Sequence, residues 1–311
     1  MRFLSGLFCG ILLASLLYGW DIDLSPRSDK FQEKWENKFS VVPQTEQEKA
    51  PEGEYEQQVA PWLEEQREAG TLKLGMSQQE LVELLGQPVR MDPTPYGYTW
   101  WIFDQDWRKY IQVGIRDGVV NTFYTNSTLW GWAELFPGMA KEAWEEHFFI
   151  KPEVSMSHPL GIFTFTLTSE EQRERPLMIE GDAAIQLYVD LHNNEKISGI
   201  RVMDTLTLLM HKPYALKYIG ELPELAQLTE KDWQAIERAN EQQVFTLVNI
   251  VRRQHGLSPL VWDEQVAYVA RKHSGDMFTH NYFDHDSPSH GDLKARLESQ
   301  QVSFMLAGEN I

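Results

Sequence analysis

The carboxyl-terminal part of this 311-residue chain gathers side chains able to do chemistry near neutral pH. His273, His280, His285 and His290 are interleaved with Asp284, Asp286 and Asp292, and Glu309 follows in Ala307-Gly308-Glu309-Asn310-Ile311. Imidazole and carboxylate groups can ligate a divalent metal with open coordination positions. They can also form charge-assisted hydrogen bonds around a histidine that titrates near neutrality. Two ligands rarely make a tight metal site, so the first chemistry needs further groups. Most of these side chains are expected to face solvent, as polar residues in loops do. Nucleophilic catalysis has no marked agent: the sequence contains no Gly-x-Ser-x-Gly, no His-Glu-x-x-His and no Walker-type phosphate loop.

A second group is aromatic. Trp100, Trp101 and Trp107, with Trp130 and Trp132 further on, are candidates for a binding face; burial in a sheet core is the competing use of such side chains.

The elements that must position these residues are legible from caps and periodicity. Thr229 caps a helix with Glu230 and Asp232 in its first turn, and Val244, Leu247, Val248 and Val251 give it an apolar face. Gly256 and Pro259 end it. Asp263 caps a second helix with Val266, Ala267, Val269, Ala270 and Met277 turned inward, after which Tyr282-Phe283 pin the loop that carries His285. A short amphipathic stretch, Leu293–Leu297, follows. Upstream, Ser77-x-x-Glu80 is a capping box, Met76 and Leu81 form a hydrophobic staple, and Gly86 and Pro88 stop the helix. Strands are predicted at Tyr98–Phe103, Tyr110–Ile115 and Val119–Tyr124, with a hairpin turn at Asp117-Gly118. The plan recurs: Gly138-Met139 repeats Gly75-Met76, Trp144 stands where Leu81 stood, and strands are expected at Ile162–Leu167, Ile185–Leu191 and Lys196–Val202 with a turn at Asn193-Asn194. This reads as two helix-plus-hairpin units, about 71–130 and 135–210. Chance similarity is the alternative.

Four stretches in order resemble the CAP (SCP/PR-1-like) domain of bacterial secreted proteins: Leu247-Val248-Asn249-Ile250-Val251-Arg252, Leu260-Val261-Trp262-Asp263, Tyr282-Phe283-Asp284-His285 and Gly308-Glu309-Asn310-Ile311. Leu74-Gly75-Met76-Ser77, Leu85-Gly86-Gln87-Pro88 and the strand Tyr110–Ile115 resemble the CAP-associated N-terminal domain of bacilli. The resemblance implies a cleft of two histidines and two acidic residues, of which His285 and Glu309 are the members by motif match and the candidates for holding a metal. The remaining two have no counterpart before Ile311, so the expectation is a CAP domain cut after Gly-Glu-Asn-Ile. For His285 a purely structural loop role is the competing reading.

Composition narrows the partners. A formal charge of −18 argues against nucleic acid and anionic membrane surfaces. The single cysteine, Cys9, excludes an intrachain disulfide. Phe3–Trp20 carries no charge, Arg2 precedes it and Asp21 and Asp23 follow, which predicts a transmembrane signal anchor with the bulk of the chain outside; a cleaved signal peptide is the alternative. Residues 21–70 hold 13 acidic and 6 basic residues and are expected to be an acidic, disordered stalk.

The expected fold class is therefore α+β: a transmembrane helix at 1–20, the stalk, a duplicated helix-plus-hairpin domain at 71–220, and the first half of a CAP α-β-α sandwich at 228–311. The expected function is non-catalytic binding of an envelope component, lipid or protein, by a membrane-anchored extracellular protein. The alternative is a metal-dependent hydrolase of envelope material. No cofactor is demanded; a divalent metal belongs to that alternative.

Overall fold

The computed structural model describes residues 72–311. The expected transmembrane helix and acidic stalk lie outside the described residues. Among those residues no helix is long and apolar enough to cross a membrane.

The chain runs α1 (Gln78–Leu85), β1 (Arg90–Pro93), β2 (Thr99–Phe103), a 3-10 turn (Trp107–Lys109), β3 (Ile111–Arg116), β4 (Val119–Thr125) and α2 (Lys141–Trp144). It continues through β5 (Glu153–His158), β6 (Gly161–Thr166), α3 (Ser169–Glu174), β7 (Leu177–Glu180), β8 (Ala183–Asp190), β9 (Lys196–Asp204), α4 (Thr205–His211) and β10 (Ala215–Gly220). Three helices follow: α5 (Glu230–Gln254), α6 (Glu264–His280) and α7 (Leu293–Ser299). The fold is mixed α+β. A seven-stranded antiparallel sheet has the order β1-β2-β3-β4-β9-β8-β7, and a three-stranded antiparallel sheet the order β10-β6-β5.

Local chemistry explains the first elements. The Ser77 hydroxyl accepts from the Glu80 amide at 3.2 Å while Glu80 accepts from the Ser77 amide at 2.8 Å, so two amides that the helix itself leaves unpaired are satisfied. Asp117 and Gly118 both take positive φ, 53° and 78°, as a tight hairpin with right-handed strand twist requires. In the later hairpin the positive-φ residues are Asn194 and Glu195 rather than Asn193 and Asn194.

The two hairpins have matching surroundings. Gly75 donates to Val120 O at 2.7 Å and Val120 donates back to Met76 O at 2.8 Å; Gly138 donates to Ile197 O at 2.7 Å and Ile197 to Met139 O at 3.0 Å. Each hairpin has a bulge in its second strand, where Asn121 lies opposite the Gly114–Ile115 step and Ser198 opposite the Tyr188–Val189 step. The last strands, β4 and β9, pair antiparallel at the centre of the sheet. Leu81 and Trp144 are both buried in one apolar core with Met139, Phe123 and Val202.

Strands β1, β5, β7 and β10 are absent from the sequence-based expectation. β5 alternates buried Val154 and Met156 with Ser155 and Ser157, and such short, half-polar strands carry little apolar signal. β10 is an exposed edge strand, paired only to β6.

The seven-stranded sheet buries both faces. Side chains alternate across a strand, so Trp101 packs on the core with Leu81 and Phe123, whereas Trp100 points to the opposite face. That face is built of Tyr96, Tyr98, Trp100, Tyr110, Tyr124 and Tyr188, and it is covered by Leu247 and Ile250 of α5. Gln243 of α5 donates to Asp92 at 2.9 Å, both buried, and Gln254 donates to Asn126 O at 3.1 Å. The stripe of α5 that is buried is Ile236, Ala239, Gln243, Leu247 and Ile250, a 3.6-residue period. Of the expected apolar face, Leu247 is buried, while Val244, Val248 and Val251 are half-buried. On α6 the buried positions are Val269, His273 and Met277; Val266 and Ala267 are half-buried and Ala270 is exposed.

Candidate functional site

The turn between α5 and α6 is fixed by side chains of α5. Asn249 accepts from the Leu260 amide at 2.6 Å and donates to Leu260 O at 3.2 Å, and Arg252 donates to Ser258 O at 2.8 Å. Phe245 meets Trp262 edge-to-face at 5.3 Å. The two stretches that resemble each other's family partners thus act on each other: one supplies the amide and guanidinium that hold the other. Asp263 then caps α6 through the Gln265 and Val266 amides.

Helix α6 ends at Asn281, which takes left-handed φ of 54° and turns the chain into the loop bearing His285. The loop closes on itself: Ser287 and Gly291 exchange two amide-to-carbonyl bonds, each 3.0 Å. Asp292 caps α7 by accepting from Ala295 N at 2.8 Å, and α7 presents Arg296 and Leu297 to the interior.

His285 and Glu309, distant in sequence, meet. His285 Nδ1 lies 3.0 Å from Glu309 Oε2. Both Glu309 oxygens also accept from Arg296 Nη2, at 2.6 Å each, and Arg296 Nη1 donates to the carbonyls of His285 (2.6 Å) and Gly291 (2.9 Å). Arg296 and Glu309 are nearly enclosed, whereas the His285 side chain keeps 38% exposure. The result is a carboxylate neutralised by a guanidinium, with an imidazole on its open side. A metal ion at Glu309 would have to displace Arg296 and strand a buried charge, which is costly. Among the described residues no group of three or more His, Cys, Asp or Glu side chains is arranged to hold a metal. The residues present therefore suit hydrogen-bonded recognition better than Lewis-acid chemistry.

A second polar cluster stands behind the loop. The Asp276 carboxylate, on α6, accepts from the Tyr282 hydroxyl and from Ser287 Oγ at 2.7 Å, and it touches His280 Nδ1 at 2.9 Å and His290 Nδ1 at 3.6 Å. The hydrogen bonds from Tyr282 and Ser287, followed by the two histidines, hold the Asp276 carboxyl well below the usual carboxylate range. His273, expected to face solvent, is instead buried at 2% exposure; its Nε2 lies 3.0 Å from Asp284 O, so it braces the residue before His285. Asp284, Asp286, Asp292, His280 and His290 are exposed.

The tryptophans are divided. Trp100 is buried under α5 with the Arg201 guanidinium 5.5 Å from its ring, and Trp107 packs against the same cluster. Trp101, Trp130 and Trp132 pack on the other core. Below α5 lies a polar knot that periodicity did not reveal. His211 Nε2 is 3.0 Å from the Tyr98 hydroxyl and 3.2 Å from Arg201 Nη2, and the Tyr96 ring lies on the imidazole at 3.7 Å. Burial, aided by the Arg201 charge, drives the His211 imidazole well below its ordinary range. Arg201 and His211 were missed because nothing in local spacing marks a residue whose partner lies on another element.

Comparison with known proteins agrees with this division. A CAP-associated N-terminal family model matches residues 74–214, and a cysteine-rich secretory protein (CAP) family model matches residues 245–309. A relative named as the uncharacterized membrane protein YlbC of Bacillus subtilis is 35% identical over 241 residues, which is 76% of this chain and 68% of the relative. The uncharacterized protein YkwD of the same organism is 44% identical over 73 residues, 24% of this chain and 28% of that protein. A crystal structure of an extracellular SCP-domain protein from Bacillus anthracis superposes with a TM-score of 0.73 at 34% identity, covering 87% of this chain and 84% of that one. A cysteine-rich secretory protein of Staphylococcus aureus shares the fold, with a TM-score of 0.63 at 22% identity over 75% of this chain and 74% of that one. By sequence match, motif order and fold, this chain belongs to the CAP (SCP) family, in the form that carries a CAP-associated N-terminal domain.

Proposed function

We propose that this protein is anchored in the membrane by residues 1–20, projects from it on the acidic stretch 21–70, and binds an envelope component outside the cell without cleaving it. The observation that carries the binding reading is the His285–Glu309–Arg296 network. Its carboxylate is already engaged by a guanidinium, and its exposed member is a histidine that can donate or accept a hydrogen bond. No nucleophile lies in this network, and the ion pair competes with any metal. The names of two relatives, one a membrane protein and one an extracellular protein, support the location. The matching hydrogen bonds of Gly75-Met76 and Gly138-Met139 support reading 71–130 and 135–210 as two copies of one plan.

Two measurements test the reading. Protease added to intact cells should remove residues beyond 72; their survival would place them inside. Residues 72–311, freed of the anchor, should sediment with envelope preparations and release no soluble fragments, with or without divalent metal, and His285→Ala should weaken sedimentation. Zinc-dependent release of fragments that His285→Ala abolishes would establish the hydrolase instead.

A further inference from the structure

Asp276 sits outside the network that defines the candidate site, and no motif reading singled it out. Its side chain is only 7% exposed. It is the one carboxylate on α6 that reaches both arms of the loop carrying His285. On the entering arm it accepts from the Tyr282 hydroxyl. On the leaving arm it accepts from Ser287 Oγ at 2.7 Å. Ser287 is itself buried, and its hydroxyl oxygen accepts the amides of Ser289 (3.2 Å) and His290 (2.9 Å), so fixing Ser287 fixes the turn after it. His285 lies between these two anchors, three residues from Tyr282 and two from Ser287.

We propose that Asp276 is a positioning residue for His285: by holding both ends of the loop against α6, it keeps the imidazole Nδ1 on Glu309. Resting on the reading that His285 meets the ligand, this adds the device that presents it. The physical reason is entropy. A six-residue span pinned at both ends has few backbone states left, whereas one whose two arms are released from α6 regains part of that freedom even with its remaining contacts in place. His273 contributes a third support by contacting Asp284 O, but through a backbone atom next to His285 rather than through both arms. The Arg296 contact to His285 O at 2.6 Å holds the backbone at one point between the two arms, where Asp276 holds both arms.

The test uses the full chain with nitrogen-15-labelled histidine and no ligand. Nitrogen shifts at pH 7.5 report the tautomer and hydrogen bonding of His285, and a thermal melt reports the fold. The expected result for Asp276→Ala is loss of the single bound-Nδ1 signature of His285, replaced by averaged shifts, while the melting temperature of the sheet domain stays put. Tyr282→Phe, which removes one of the two ties, should give an intermediate effect, and it serves if Asp276→Ala does not fold. Asp276→Asn, which keeps an acceptor oxygen, should recover part of the signature. A wild-type His285 spectrum in Asp276→Ala, or in Tyr282→Phe where the former is unfolded, overturns the proposal. Because no ligand is present, failure of envelope binding leaves this outcome unaffected, so the two readings fail separately.

Discussion

Replacing Arg296 by methionine should loosen the candidate site from within while leaving the sheet domain intact. Methionine fills much of the volume but removes four hydrogen bonds: two to Glu309, one to His285 O and one to Gly291 O. Breaking a buried ion pair by deleting one partner costs about 3–5 kcal/mol, because the other charge is left without compensation. The Glu309 side chain is 13% exposed, so water recovers part of this and about 3 kcal/mol is the working figure. At 1.4 kcal/mol per tenfold, that raises the population of the locally open form on the order of 100-fold. Amide hydrogen exchange reads it directly. The Ser287, Gly291 and Val302 amides, bonded to Gly291 O, Ser287 O and Leu297 O, should exchange faster by that factor. Amides of β8 and β9 should not change. Adding Glu309→Gln to Arg296→Met should restore part of the protection, since the neutral amide leaves no unpaired charge. Less than about a fivefold acceleration, or a double variant as open as the single one, would refute the view that this ion pair holds the site.

Two further outcomes follow from the rest of the molecule. His211 is kept neutral in the fold, so the unfolded chain binds its proton first; stability is full above about pH 6.5 and falls below it by up to about 1.4 kcal/mol per unit. Urea unfolding between pH 7.5 and 5 should show that slope, and His211→Gln should flatten it. A polypeptide of residues 71–220 leaves the Tyr96–Tyr98–Trp100 face without Leu247 and Ile250; it should melt lower than residues 71–256 and bind a hydrophobic dye more strongly, and equal melts would show that α5 adds nothing.

What the sequence disclosed was local. Caps at Ser77, Thr229 and Asp263, and the turn at Asp117-Gly118, are each decided within four residues, and all four form as written. The order of the CAP stretches put His285 and Glu309 in one place by resemblance, and in the structure they are 3.0 Å apart. Their controlling partners were not legible. Arg296 lies 13 residues before Glu309 in a short amphipathic stretch that marks its apolar residues and not its charge, and Asp276 lies on a helix whose apolar face says nothing of its polar one. Satisfying a buried charge is a tertiary requirement that leaves no spacing rule behind. The same holds for His273: polarity argued for solvent, and burial was decided by the loop that folds over it. Strands β5 and β10 escaped because their pairing with β6 holds them more than their own apolar content does.

The boundary between the two family matches, 214 to 245, is not the boundary that packing draws. Helix α5 begins at Glu230, inside the unmatched interval, and its early residues Ile236 and Ala239 are already buried. Its middle meets the sheet through Gln243 and Asp92, a pair that fixes the rotation of the helix, since a turn of one residue would swing the amide about 100° away from the carboxylate. Its other flank carries Asn249 and Arg252, which hold the turn into α6. One rigid helix thus links the tyrosine-lined face of the sheet to the segment that bears His285. The CAP-associated domain and the CAP segment are better regarded as one mechanical unit sharing α5 than as two beads on a string.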